Sequence, residues 1–362
     1  MVKNIMLVRK ALYDTVIIGG GAVGASIAYH LALKCPDHKI AVVERDLKYT
    51  KASCMLSAGG IRQQFNLPEN ILMSCYSANF LHNVHESLAI PGEDAPDIQF
   101  HEHGYLMLSN TPAGDKVLVQ NNKNQHDCGA DWLHVTDQAG LAAKYPWLNT
   151  EDLSTGCYST KNEGYFDPWA YVNALKNKSK MMGVDFIEAE VLGGEVETDA
   201  ASGGLALRSL QIRSGEDTAV ESIKGNTFVN CAGAWSNGIV SMLDKTSPSH
   251  IRGLPVEARK RCIFMFQCQD EDRRPPAETP LTVMPDGAYF RPEGRGGRYI
   301  AGVSPLQDND PHHSEDVALD HINHELFEEV IWPSIATYVP AFEGVKVASS
   351  WAGFYEYNTL DQ

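Results

Sequence analysis

The sequence has no apolar run that approaches the roughly 18 residues needed to cross a bilayer, so it encodes no ordinary membrane-spanning helix. It has no Cys-x-x-Cys pair. Its eight cysteines, at 35, 54, 75, 128, 157, 231, 262 and 268, are scattered. That removes the usual zinc spacing and does not resemble the framework of a small secreted domain, so the reading is a reducing compartment. Positive charge is short: Lys and Arg number 30 against 46 Asp and Glu, a net charge of −16 with His neutral. This balance argues against nucleic acid or an anionic membrane as a partner, since both require basic patches. Internal repeats and low-complexity tracts are missing too. The first 13 residues hold Lys3, Arg9 and Lys10 and no acid. They read as a frayed basic terminus or as the end of a targeting segment.

What is present is concentrated near the start. The 362 residues suggest about two domains at roughly 150 residues each. Residues 15–18 form a short, mostly β-branched run that enters Gly19-x-Gly21-x-x-Gly24. Small residues then open a helical pattern over 25–34, Pro36 marks the turn, and the apolar run 40–43 ends at Glu44. Strand, glycines, helix, strand and terminal acid together make the βαβ dinucleotide-binding fingerprint. Gly19 allows the tight turn, Gly21 lets the backbone approach a pyrophosphate, and Gly24 permits close helix–strand packing. The helix N-terminus offers N–H groups to the phosphates. Glu44 accepts from ribose hydroxyls and disfavours a 2′-phosphate, so NADP is not expected.

The fingerprint is shared by FAD and NAD proteins. The next segment, KASCMLSAGGIRQQF at 51–65, carries Ser53, Ser57, Gly59 and Gly60 and suits a cofactor gripped beyond its ADP half. The alternative for it is an ordinary flexible loop. A second strand-turn-helix pattern, TFVNCAGAWS at 227–236, fits a return to the nucleotide domain. Between them a helix leads into a strand over 184–189, and Val191 follows on the adenine side.

With these motifs the chain resembles the D-amino-acid oxidase-like family of FAD-dependent amine oxidoreductases. Four stretches carry a closer likeness: 57–81, EGYFDPWAYVNAL at 163–175, LPVEARKRCIFMF at 254–266 and SSWAGFYEYNTLDQ at 349–362. Within the family they are similar to a mitochondrial member that serves the assembly of respiratory complex I. The resemblance implies FAD as cofactor, a place on the matrix side of the inner membrane, and complex I assembly intermediates or subunits as partners. A small amine remains a possible substrate. It implies cofactor contacts from Gly19, Gly21, Ala22, Val23, Gly24, Glu44, Arg45, Ser57, Gly59, Gly60, Val191, Ala232 and Gly233. Ser57 stands where some family dehydrogenases attach the flavin through His, so the FAD is expected to be non-covalent. Tyr355 follows Trp351-Ala352-Gly353-Phe354 where glycine oxidase-like members place a carboxylate-binding Arg. Family chains continue beyond the TLDQ stretch into a strand and a glycine-rich turn. The expectation for a chain ending at Gln362 is a truncated form with weak or no FAD binding.

Amine oxidation in this family is hydride transfer to the flavin, so the protein supplies orientation and charge rather than a nucleophile or metal. Candidate catalytic residues are Tyr289 and Arg291, on alternate positions of one strand, Tyr355, and Lys260 of the Arg259-Lys260-Arg261 triplet. Each has a structural alternative: a packing pair, aromatic core, or a solvated strand face. No metal is expected. His101-x-His103, His312-His313 and His321-x-x-His324 read as surface histidines, the last pair on one face of a helix from about Val317.

The expected fold class is α/β, a Rossmann-like FAD-binding domain interleaved with a mostly antiparallel β-sheet substrate domain, D-amino-acid oxidase-like. The FAD domain is assigned to 13–90, 165–245 and 345–362, and the substrate-type domain to 91–164 and 246–344. Strands are expected over 104–108, 282–291 and 298–303. Function divides between an assembly factor that uses the fold as a platform and an active flavin amine or amino-acid oxidase or dehydrogenase. An NAD-dependent Rossmann dehydrogenase is the reading from a third class.

Overall fold

The computed structural model describes residues 12–215, 219–305, 310–313 and 316–360. The first apolar run is the centre of β1 (Leu12–Ile18), where Val16 and Ile17 have no exposed surface. The chain turns at Gly19 into α1 (Ala22–Lys34) and returns through β2 (Ile40–Glu44). Next come β3 (Gly60–Ile61), α2 (Pro68–His82) and α3 (Val84–Ser87). Then follow β4 (Tyr105–Ser109), α4 (Pro112–Asp127), β5 (Leu133–Asp137), α5 (Gln138–Lys144), β6 (Thr155–Ser159) and β7 (Gly164–Tyr165). The chain re-enters the first layer with α6 (Pro168–Met181), β8 (Asp185–Glu188), β9 (Glu190–Thr198), β10 (Leu205–Arg213), β11 (Glu221–Asn230) and α7 (Ser236–Asp244). The last part carries β12 (Val256–Gln267), β13 (Leu281–Val283), β14 (Tyr289–Pro292), β15 (Arg298–Gly302), α8 (Trp332–Tyr338) and β16 (Lys346–Asn358).

Two main sheets result. The first has the order β8-β2-β1-β11-β10-β9. Its first four strands are mutually parallel, and β10 and β9 continue it antiparallel. β1 and β2 are buried on both faces, which is why they read as continuous β-branched runs. α6 packs on α1, and its start is set by Pro168 at the first turn and by Asp167, whose side chain accepts from Trp169 N and Ala170 N. The second sheet has the order β16-β12-β15-β14-β13-β4-β6-β5. Every pairing in it is antiparallel except β13 with β4. Its core is aromatic: Phe342 meets both Phe266 and Phe290 edge to face at 5.0 Å between centroids. The fold class is the α/β one expected: a Rossmann-like layer interleaved with a mostly antiparallel sheet.

Three local expectations differ from what is seen. The expectation places residues 345–362 in the nucleotide domain, but β16 within them is the edge strand of the second sheet, paired with β12 from Val256↔Asn358 to Gln267↔Lys346, and residues 361 and 362 lie outside the described residues. At 13 residues β16 is long enough to pair with the whole of β12. The single strand expected over 282–291 is two, β13 and β14, because Gly287, at φ +91°, closes a turn in which Met284 N donates to Ala288 O. The helix expected from Val317 is a 3₁₀ turn at Asp316–Asp320 followed, after a break, by a π turn at Phe327–Ile331. Phe327 and Ile331 take the core positions, so His321 and His324 share no helix face.

Candidate cofactor cleft

The cleft between the two sheets has a cavity of about 710 Å³, within the roughly 300–1,000 Å³ range of ligand pockets. One wall is the glycine turn. Gly19 has φ +97°, and a Cβ there would meet Cys231 O at 2.4 Å, so the position tolerates only glycine. A Cβ on Gly24 would stand 1.9 Å from Gly19 O. Gly24 therefore serves helix–strand contact and is not among the lining residues. Gly21 is different: a Cβ there meets nothing nearer than Cys54 Sγ at 3.9 Å, and the position opens on the cavity. No side chain caps α1 at Gly21, so the helix N-terminus is presented to the cleft. Glu44 closes this wall. Its Oε2 accepts from Gly20 N at 2.7 Å and its Oε1 from Asp46 N at 3.0 Å.

The loop that follows is held by Asp46. Its carboxylate accepts from Lys48 N, Thr50 N and Thr50 Oγ1. Burial raises the Asp46 pKa, and these bonds outweigh it, so the carboxyl is held below its usual range. Tyr49 sits in the same turn at φ +59°. Its hydroxyl is enclosed without a partner, and burial followed by the nearby Glu44 charge pushes its pKa up. Tyr49→Phe removes an unsatisfied buried hydroxyl. We expect it to stabilise the fold by about 1 kcal/mol, read as a raised urea midpoint. Further on, Ser57 Oγ donates to Cys54 O at 2.8 Å and accepts from Gly59 N at 3.1 Å. Trp351 Nε1 donates to Leu56 O at 2.9 Å, which lays this loop on β16.

Of the sequence candidates, Gly19, Gly21, Ala22, Val23, Glu44, Arg45, Ser57, Val191, Ala232 and Gly233 are brought together as lining. Arg45 lies 4.2 Å over the Trp235 ring, which also lines the cleft. Gly59 and Gly60 are not lining residues. A Cβ on Gly59 would meet Phe166 O at 2.4 Å, and one on Gly60 would meet the Tyr105 hydroxyl at 1.8 Å. Both serve close packing of the loop.

The opposite wall belongs to the second sheet: Arg261, Ile263, Tyr289, Val303, Ser304 and the stretch from Gly353 to Glu356. Tyr289 lines it as expected, and burial pushes its hydroxyl up to about 12, against the opposing pull of Arg291 and Arg261. Tyr355 lines it and is half-exposed. Arg291 does not. It is buried, its Nε donates to Ala58 O at 2.9 Å and its Nη1 to Glu293 Oε2 at 2.5 Å, and its guanidinium stacks 4.1 Å from the Tyr165 ring centre. Its observed contacts make it a brace for the 57–60 loop. Lys260 is also outside the cleft, its Nζ donating to His321 O at 3.0 Å. Strand alternation turns Lys260 away from the face shared by Arg259 and Arg261; Arg259 is engaged with Glu257 and the Tyr357 ring, and Arg261 is the one that lines the cleft. Arg261 pairs with Asp310, a contact across 49 residues of chain that no local pattern shows.

His103 is another difference. The sequence pattern suggests a surface histidine, but its Nδ1 is enclosed without a partner and burial lowers its pKa. Among the described residues no three His, Cys, Asp or Glu side chains gather as a metal site would require. No helix among them is long and apolar enough to cross a membrane.

The family described as FAD dependent oxidoreductase matches residues 14–362. The chain belongs to this family. FAD-dependent oxidoreductase domain-containing protein 1 of Xenopus laevis is 42% identical over 364 residues, covering 96% of this chain and 71% of its own length. Among solved structures, L-proline dehydrogenase from P. horikoshii superposes with a TM-score of 0.77 at 21% identity, covering 96% of this chain and 82% of that one. Glycine oxidase from Geobacillus kaustophilus gives 0.73 at 19% identity, covering 97% and 84%. These two likenesses show the fold. Family membership settles the cofactor as FAD and removes the NAD-dependent reading. The residues present fit it: an uncapped helix start, a glycine open to the cavity, and Glu44 at the end of β2.

Proposed function

We propose that this FAD-dependent oxidoreductase-family protein acts in the assembly of mitochondrial respiratory complex I. It would work on the matrix side of the inner membrane, with assembly intermediates or subunits as its partners. The sequence likeness over the four stretches and the identity to the Xenopus laevis protein support the reading. One structural observation favours a platform over an amino-acid oxidase: both side-chain nitrogens of the Arg261 fork already serve Asp310. Gly21→Leu in the full-length protein should lose FAD and, in cells depleted of the wild type, lower fully assembled complex I on native gels. Normal complex I in cells depleted of the protein altogether would sink the proposal; normal assembly by the flavin-free variant would show instead that the platform works without its nucleotide site.

A second reading is oxidation of a small amine, the class of chemistry named by L-proline dehydrogenase and glycine oxidase. The Tyr289 and Ser304 side chains on the wall opposite the glycine turn favour it. When bound, FAD supplies a hydride acceptor. Gly21 and α1 would hold its phosphates, Glu44 its ribose, and Tyr289 and Tyr355 would orient the substrate. FAD is held non-covalently in this reading, since Ser57 replaces the attaching residue, and acid precipitation should leave all flavin in the supernatant. Anaerobic bleaching of the flavin by pyrrolidine or dimethylamine would establish the activity.

A further inference from the structure

Arg261 is the cation of the second sheet that lines the cleft. Its side chain is 20% exposed and that of Asp310 is 7%. Nη1 donates to Asp310 Oδ1 at 2.6 Å and Nη2 to Oδ2 at 2.8 Å, and Nη1 also donates to Lys260 O at 3.0 Å. The guanidinium lies 5.4 Å from the Tyr355 ring centre, with Tyr289 close enough for its hydroxyl to feel the charge. The two-pronged fork is the feature by which arginine recognises a carboxylate ligand. Here a carboxylate of the chain itself occupies it. Freeing Arg261 for a ligand would strand the buried Asp310 charge, which is strongly unfavourable.

The other charges on this side point the same way. Glu356 lines the cleft from β16, Lys260 is turned to His321 O, and Arg291 is engaged with Ala58 O and Glu293. Arg45 and Lys51 also line the cavity, but from the nucleotide-side loop after β2. With Arg261 neutralised by Asp310, the described side chains of the second-sheet wall carry a net negative charge from Glu356.

We propose that Asp310 sets the charge specificity of this wall: by locking Arg261 it makes the cleft select neutral or cationic amines that carry no carboxylate. The inference rests on the second reading above, that an organic ligand binds on this side. It names the ligand class as simple amines and excludes amino acids.

The test is calorimetric titration of the purified full-length protein, FAD-supplemented, with pyrrolidine and with pyrrole-2-carboxylate. Wild type should prefer pyrrolidine by about tenfold or more. Asp310→Asn, which keeps one acceptor but removes the charge, should bind pyrrole-2-carboxylate about tenfold tighter than wild type and pyrrolidine more weakly. Glu356→Gln, at an exposed position, should narrow the preference in the same direction. Wild type binding the carboxylate as tightly as the amine overturns the proposal, and that comparison needs no variant. The amine-over-carboxylate ranking together with an unbleached flavin would instead count against amine oxidation and leave the specificity standing.

Discussion

Gly21→Leu and Gly24→Val, three residues apart, are expected to fail in opposite ways. Gly21 opens on the cavity, so a leucine there fits the apo fold and occupies the space the phosphates need. FAD affinity should fall by about a hundredfold, roughly 2.8 kcal/mol, while apo stability read by urea denaturation changes by no more than about 1 kcal/mol. Gly24 faces inward, with a Cβ placed 1.9 Å from Gly19 O and 3.3 Å from Ile17 Cγ2. Valine there must push α1 off β1, at a cost of about 3 kcal/mol. It should lower the apo midpoint as well as FAD binding. Fluorescence titration of FAD and urea denaturation, run on both variants, separate the two roles. Equal loss of apo stability in both would mean that Gly21 also packs against protein.

The second large effect belongs to Glu163, which has no exposed surface. Its Oε1 accepts from Gln63 N at 2.5 Å and Gln64 N at 3.1 Å, and its Oε2 from Gln64 Nε2 at 2.8 Å. These bonds hold the segment just after β3, the continuation of the loop that leaves the cleft at Ala58. Glu163→Ala orphans three buried donors and should cost on the order of 3 kcal/mol. Glu163→Gln should cost far less. A small rotation of Gln64 can present its Oε1, which now lacks a partner, to the new amide.

The same residue predicts a pH dependence. Burial is the strongest influence and raises the Glu163 pKa, while the donors from Gln64 and Gln63 pull it back only in part. The folded chain therefore holds this proton more tightly than the unfolded chain, whose ordinary value is 4.5. The resulting stabilisation is complete below that value and is lost as pH rises through the folded-state pKa. The stability advantage of wild type over Glu163→Gln should shrink as pH is raised from about 4.5. An advantage that grows with pH would show a carboxylate held ionised by its donors.

The nucleotide wall was legible because its chemistry is local. Turn, helix start and terminal acid lie within 26 residues, from Gly19 to Glu44, and β1 and β2 bury both faces, so a continuous apolar run marks them. The roles of the glycines divided more finely. Gly59 and Gly60 carry the same motif character as Gly21 but face Phe166 and Tyr105 rather than the cavity. Sequence spacing does not say which neighbour a glycine approaches.

The second wall was legible only as residue types. Tyr289 and Tyr355 do reach the cleft. Lys260 and Arg291 do not, because the orientation of a strand and the partner of a cation are set by distant chain: β12 by its register with β16, Arg261 by Asp310, Arg291 by Ala58. By itself the sequence determined the glycine turn and its βαβ unit, since short-range backbone sterics and two-sided burial impose them, and its likeness to a known family gave the cofactor. Tertiary structure alone decided which cation faces the ligand and what neutralises it, since those follow from contacts between residues 49 to 233 positions apart, where no local periodicity carries the information.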